Sequence, residues 1–285
     1  VNLAALVEYD GTRFAGFQRQ PAEKGPTVQG EIERALARIA GVARGRIEAA
    51  GRTDSGVHAT GQVINAHVPD RLEPATWQQA LNALLPPDIA VRAATRASEG
   101  FRARWDAQAR RYRYRILCDP VRAPLRERFV WRLAQPLDVE AMERAAAALC
   151  GEHDFGAFGS SPRDQPAEGY RGHTVRTLTE ATCRRVSQAG RTDEVECLFT
   201  ANAFLTGMAR RLVGTLALVG EGRLSVEGFI RILEARDKGH KGPAAPARGL
   251  CLVGVNYPAG MLSWPANETA RRARMVGESD EFEDV

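Results

Sequence analysis

Arg110-Arg111-Tyr112-Arg113-Tyr114-Arg115-Ile116 is the stretch on which the reading of the fold turns. Its strict alternation predicts a strand with Tyr112, Tyr114 and Ile116 on one face and Arg111, Arg113 and Arg115 on the other. It is also where an order of elements begins a second time. Upstream, an apolar run over residues 3–9 ends at Asp10-Gly11 and reads as a strand entering a turn. A helix follows, with Thr27 as N-cap, Ile32, Leu36 and Ile39 along one face and Gly41 as its stop. Strands are expected over 46–50 and 62–68, separated by a turn-prone segment, then a helix over 77–85 closed by Pro86-Pro87 and a strand over 89–94. Downstream, a strand over 111–117 leads to a helix from Asp138 to Cys150, with Gly151 as its stop. Strands over 174–185 and 194–200, helices over 204–219 and 225–235 and a last strand over 250–257 complete the second series. Two successive βαββαβ units predict an α+β fold of two ferredoxin-like halves sharing one extended antiparallel sheet. The expected domains are 1–107 and 108–258, the second with an extra helix and long loops at 159–172 and 237–248. Beyond Pro258 the chain turns polar, and 259–285 reads as a flexible charged tail.

Composition narrows the class without naming a function. Over 285 residues, 44% hydrophobic and 26% charged residues match a globular protein and exclude collagen, coiled coil and wholesale disorder. No run approaches the roughly 20 apolar residues of a spanning helix, and Glu8 interrupts the first apolar run before a signal-peptide core could form. The expectation is a soluble, cytoplasmic chain with no membrane partner. Five scattered cysteines without a CxxC pair fit reduced thiols. The net charge is +4, yet five of the 35 acids fall in the last eight residues, so the rest of the chain is more basic still. Only Lys24, Lys238 and Lys241 are lysines. Arginine's planar fork suits phosphate, so this balance points weakly to an anionic partner such as nucleic acid.

Three segments could carry chemistry. Gly51-Arg52-Thr53-Asp54-Ser55-Gly56-Val57-His58 sets a carboxylate, a guanidinium and an imidazole between glycines in a loop between strands. By itself it reads as an Asx-type turn in which the Asp54 side chain bonds backbone N–H groups. The arginine and tyrosine strand, with Phe101-Arg102-Ala103-Arg104-Trp105 before it, reads either as a tyrosine-lined core with a solvated arginine face, or as arginines on phosphates and a tyrosine against a nucleobase. Alternation alone does not choose between them. The apolar helix after Ala201-Asn202-Ala203-Phe204-Leu205 is interrupted by Arg210 and Arg211, which require a carboxylate or phosphate partner if buried. The five histidines show no ligand spacing such as HxxxH, so no metal site is expected.

Taken together, these segments and several others resemble the tRNA pseudouridine synthase A family. The matching motifs run in order: Tyr9-Asp10-Gly11-Thr12 with Gly16-Phe17-Gln18-Arg19-Gln20, Thr27-Val28-Gln29-Gly30, the 51–58 loop, Leu81-Asn82 and the 110–114 strand. They continue with Val175-Arg176-Thr177, Ala201-Asn202-Ala203-Phe204-Leu205, Met208 with Arg210, and Ala245-Pro246-Ala247 leading to Gly249-Leu250. The resemblance spans about residues 3–258. It implies isomerisation of uridine to pseudouridine in the anticodon stem-loop of tRNA, by a cofactor-free homodimer without a metal. Asp54 falls on the catalytic aspartate, which acts as nucleophile or base. Tyr112 falls on the tyrosine that packs on the target base and could transfer a proton, and Arg210 on the aspartate's partner. Arg52 falls beside the flipped nucleotide and Leu250 on an apolar wall. Arg111 and Arg113 are expected to bind the substrate's phosphates. The sequence departs from the family's usual residues at Phe17, Arg102, Trp105 and Thr206-Gly207.

Two other classes remain open on the residues. A non-catalytic RNA-binding protein with paired ferredoxin-like domains would carry the basic strand but have no need of the Asp54 loop, and the aromatic motif K/R-G-F/Y-G/A-F of such modules is absent. A small-molecule enzyme of the same fold would not need the arginine excess.

Overall fold

A computed structural model describes residues 1–43, 45–160, 174–188, 191–235, 242–266 and 268. The first series comprises β1 (Asn2–Tyr9), α1 (Val28–Ala40), β2 (Glu48–Ala49), β3 (His58–His67), α2 (Pro74–Leu84) and β4 (Ile89–Ala97). The second comprises β5 (Ala109–Cys118), β6 (Trp131–Leu133), α3 (Val139–Ala147), β7 (Gly151–Asp154), β8 (Val175–Gln188), β9 (Arg191–Ala201), α4 (Met208–Gly220), α5 (Val226–Ala235) and β10 (Leu250–Asn256). Their strands join in one sheet of order β4-β1-β3-β10-β5-β9-β8-β7, with β2 on β3 and β6 on β5. The first series reads β4-β1-β3-β2 and the second β10-β5-β9-β8, the same permutation of four strands. This is the α+β arrangement of two ferredoxin-like units that the element order predicts.

The joint between the two units decides where a site can form. One edge of β3 is shared: β2 pairs near its end, at Asn65 and Ile64, while β10 pairs in parallel at its start, where Cys251 faces His58 and Leu252 faces Ala59. Segment 50–57 runs from β2 into β3 and therefore arrives beside β10, at the seam. The opposite edge of β10 pairs antiparallel with β5 and sets Leu250 against Tyr114 and Leu252 against Tyr112. Buried residues of both units form one contiguous core, in which Trp77, Phe101, Tyr114, Phe155 and Phe199 are among the largest enclosed side chains.

Local chemistry explains most boundaries. Thr27 caps α1 by accepting the Gly30 N–H at 3.2 Å, and Gly41 ends it in the left-handed conformation (φ 68°). Asp138 likewise caps α3 through the Ala141 N–H at 2.9 Å. Some expectations shift. Helix α3 stops at Ala147, not Cys150, because the Leu149 and Cys150 N–H groups turn back only three residues, to the Ala146 and Ala147 carbonyls, and Gly151 (φ 105°) opens the edge strand β7. Helix α4 starts at Met208 because Gly207 (φ 74°) precedes it in a left-handed turn, leaving Phe204 in a loop. Strand β3 begins at His58, inside the segment expected to be loop.

Residues 161–173 and 236–241, which overlap the two expected long loops at 159–172 and 237–248, and residues 267 and 269–285 of the expected tail lie outside the described residues. The start of that tail is not polar: Met261, Leu262 and Trp264 rest partly buried against the core. Among the described residues no helix is long and apolar enough to cross a membrane.

Candidate active site

The segment ahead of β3 is riveted from every side before its carboxylate is reached. Gln62 on β3 takes both backbone groups of Gly51, accepting its N–H at 3.2 Å and donating to its carbonyl at 2.8 Å. Arg110 on β5 donates to the Ala50 carbonyl at 3.0 and 2.9 Å and, with the rest of its fork, to the carbonyls of Arg104, Ala107 and Asn202. One half-buried guanidinium thus ties the β2 end to the 104–107 turn and to the loop before α4. Tyr9 on β1 shares a 2.8 Å hydrogen bond with the Thr53 hydroxyl, the Phe17 N–H donates to the Thr53 carbonyl, and the Ser55 hydroxyl donates to the Phe14 carbonyl. The turn itself is closed by the Val57 N–H on the Asp54 carbonyl at 3.2 Å, with Gly56 (φ 76°) in the left-handed position that turn requires. The backbone of Asp54 makes the turn, which leaves its side chain for another partner.

That partner is Arg210. Its Nη1 lies 3.5 Å from Asp54 Oδ2, and both side chains are about a quarter to a third exposed (24% and 31%). Helix α4 supplies the arginine, and the 245–247 segment fixes it: Arg210 Nε donates to the Ala245 carbonyl at 2.7 Å, and the Ala245 N–H donates to the Arg210 carbonyl at 2.9 Å. The same segment meets the Asp54 loop, since a Cβ on Gly56 would stand 3.2 Å from that of Ala247.

Tyr112 sits behind this pair. It is buried, edge-on to Phe204 with ring centroids 4.8 Å apart, and flanked in register by Leu252 on β10 and Phe199 on β9. Gly51 faces its hydroxyl, so that a Cβ there would come within 3.6 Å of it. Burial, reinforced by the Asp54 charge, pushes the phenol's pKa far above its ordinary value, so Tyr112 stays protonated and presents its O–H as a hydrogen-bond donor. Next along the same face, the Tyr114 hydroxyl donates to the Pro246 carbonyl at 2.7 Å. Its ring lies so close to the backbone that a Cβ on Gly249 would meet it at 2.5 Å. Leu250 is buried opposite Tyr114.

The structure therefore brings Asp54, Tyr112 and Arg210 together, sets Leu250 in the adjacent apolar wall through Tyr114, and leaves Arg52 exposed at the entry to the loop. Arg111 and Arg113 are elsewhere. Period-two alternation sends them to the far face of β5, where Arg111 pairs with Glu180 at 2.9 Å and Arg113 with Glu196 at 3.8 Å. The phosphate contacts expected of them would fall on that far face, away from Asp54, where both already meet a glutamate. Residues that shape the loop but were given no role of their own from the sequence are Gln62, Tyr9, Arg110 and Leu252. The available signal was polar side chains inside apolar strands, and Leu252 sharing alternation with Leu250. Among the described residues no group of three or more His, Cys, Asp or Glu is placed to hold a metal ion.

A family model described as tRNA pseudouridine synthase matches residues 5–106 and 145–258, the segments that contribute Asp54, Arg210 and Leu250. The chain belongs to that family. A relative from Moorella thermoacetica named tRNA pseudouridine synthase A is 44% identical over 258 residues, covering 90% of this chain and 99% of its own. Two others of the same name, from Xanthomonas campestris pv. campestris (strain B100) and Rhodospirillum rubrum, are each 42% identical and cover 89% and 90% of this chain, and 94% and 88% of their own. The synthase is an isomerase, and its seam between the two units holds a half-exposed carboxylate over a buried tyrosine.

Proposed function

We propose that this synthase converts uridine to pseudouridine in the anticodon stem-loop of tRNA, and that Asp54 is the group acting on the reacting nucleotide. The observation that carries the reading is the Asp54 carboxylate, accessible to a ligand yet held 3.5 Å from Arg210 on a loop tied down at Gly51 by Gln62 and at Thr53 by Tyr9 and Phe17. The reaction exchanges a C–N for a C–C bond between base and ribose with no change in composition. It calls for one group that attacks or deprotonates the substrate and a pocket that keeps the detached base in place. A carboxylate suits the first role, and the target must leave its stack to reach it. Tyr112 lies under the base with its O–H available for proton transfer, Arg210 pairs with Asp54 and holds it in place, Arg52 at the loop entry meets the flipped nucleotide's backbone, and Leu250 closes the wall with Leu252. The two series of elements act as domains 1–107 and 108–258, with the site at their junction. The active species is a cytoplasmic homodimer, because a tRNA arm needs more surface than one subunit's sheet offers; sedimentation of a fully active 31.1 kDa monomer would contradict this.

Asp54→Asn tests the central assignment, since it keeps shape and removes charge. The expected result is undetectable pseudouridine formation by folded protein that still binds tRNA, because RNA affinity rests mainly on phosphate contacts. If Asp54 serves only its turn, the variant loses on the order of 1 kcal/mol of stability and stays active.

A further inference from the structure

Trp105 stands in a turn that Arg110 ties to the approach of the Asp54 loop, and nothing in the catalytic reading uses it. A tryptophan is among the costliest side chains to leave in water, yet this one is 59% exposed. Two guanidiniums lie against its ring, that of Arg104 4.8 Å and that of Arg102 5.7 Å from the centroid. The turn that presents it is rigid. The Trp105 and Asp106 N–H groups both donate to the Arg102 carbonyl, the Arg102 N–H donates to the Asp106 carboxylate at 2.7 Å, and the Ala103 N–H donates to Asn65 Oδ1 at 2.9 Å. The Ala103 carbonyl accepts from the Tyr257 hydroxyl at 2.7 Å, and the Arg104 carbonyl from Arg110. Arg110 is the residue that also holds Ala50, four positions before Asp54. The platform and the Asp54 loop are thus fixed to one another through a single guanidinium.

Resting on the proposed site at Asp54, we infer that Trp105 is a stacking platform for an unpaired base of the tRNA other than the target uridine, with Arg102 and Arg104 beside it as contacts for the adjoining phosphates. The chemistry is that of single-stranded RNA recognition: an exposed aromatic face for a base, and planar cations for the backbone on either side. Glu48 pairs with Arg102 at 2.8 Å and orients it. A base held here fixes the arm's register while the target nucleotide is out of the helix, so Trp105 is a positioning residue and does not touch the reacting atoms.

The test uses full-length protein and an unmodified tRNA transcript. In the Asp54→Asn background, Trp105→Ala is expected to weaken binding about tenfold or more, and Trp105→Phe, which keeps a ring, by a few fold. The part of the tryptophan emission that tRNA quenches should disappear in Trp105→Phe. In the wild-type background, Trp105→Ala should raise KM by a similar factor while kcat at saturation stays within about twofold. Unchanged affinity, or quenching that persists in Trp105→Phe, would overturn the inference. So would a loss of affinity that follows dissociation of dimers in sedimentation, which would make Trp105 a contact between copies. Should Trp105→Ala fold poorly, the quenching in Trp105→Phe still decides. Activity remaining in Asp54→Asn would sink the catalytic reading alone, because the binding comparison is made within that variant.

Discussion

The two faces of β5 make opposite use of their side chains. On one, Tyr112, Tyr114 and Ile116 are buried among Leu252, Phe199, Cys197 and Val195, and the charges that act on the two tyrosines are Asp54, Arg110, Arg210 and Arg248. On the other, each arginine meets a glutamate from β8 or β9: Arg111 with Glu180, Arg113 with Glu196, which Arg184 also approaches, and Arg115 with Glu194, which Arg126 also binds. The arginines that make this strand look like an RNA surface are thus spent largely on cross-strand pairing. The carboxylate proposed to do chemistry sits instead at the apolar face. There, partly withdrawn from water, its charge acts more strongly on a neighbouring group than it would in open solvent. An excess of arginine identifies a class of partner, but which face binds it depends on which arginines already have acids.

The contrast is tested most severely by a pair of substitutions one residue apart. Tyr112→Phe keeps the ring and removes the only proton it could give, so turnover should fall by about a hundredfold with tRNA affinity little changed. Arg113→Gln, on the far face, should leave turnover within about threefold and alter affinity only modestly, since its charge is already partnered. Both are read from single-turnover pseudouridine formation and filter binding. An Arg113 variant more damaged than the Tyr112 variant would reverse the assignment of faces.

The far face also makes a prediction about stability. Glu194 is wholly enclosed; Arg115 Nε donates to it at 2.7 Å, and Arg126 binds its other oxygen. Glu194→Gln would leave two guanidiniums facing a neutral amide. Both are a fifth to a quarter exposed, so water offsets part of the loss. About 2–3 kcal/mol of stability should go, seen as a lower urea midpoint, while the folded enzyme keeps its turnover. A drop in turnover without a drop in stability would mean that the arginine face takes part in the reaction.

How much of this could be read from the chain follows the range of the interactions. Thr27 and Gly41 mark α1, Asp138 marks the start of α3, and the Tyr-Arg alternation marks β5, because caps and pleats act over a few residues. The 51–58 motif pointed to Asp54, and Arg210 stood out as a charge in an apolar helix. The acids that neutralise Arg111 and Arg113 come from strands 69 and 83 positions away, and nothing local announces that β9 lies beside β5. The shared edge of β3 was equally hidden, since it depends on β10 returning to His58 from the end of the fold. Gly207 could have signalled the late start of α4, but the apolar run over Phe204 and Leu205 outweighed it.

The smallest effect concerns His58, which closes the site motif and begins β3. Its Nδ1 accepts the Gly11 N–H at 3.1 Å and lies 3.1 Å from Asp10 Oδ1, while the Phe129 ring is 5.0 Å away. Burial holds its pKa below the ordinary value of 6.5, and the Asp10 carboxylate opposes that shift. Asp10 in turn lies 2.5 Å from Arg128, which also approaches Asp88 at 3.6 Å. With its own pKa lowered, Asp10 stays ionised across the range that matters. A folded-state pKa below the unfolded one means that the unfolded chain takes up the proton first. The stability due to neutral His58 is therefore complete above about pH 6.5 and is lost as the pH falls towards the folded-state value. His58→Gln keeps an acceptor for Gly11 but cannot titrate. Between about pH 7.5 and 5.5 the wild-type melting temperature should fall more steeply than that of His58→Gln, by a few degrees at most. A wild type that gains stability relative to the variant on acidification would show that attraction to Asp10 outweighs burial, and the proton would then belong to the folded state.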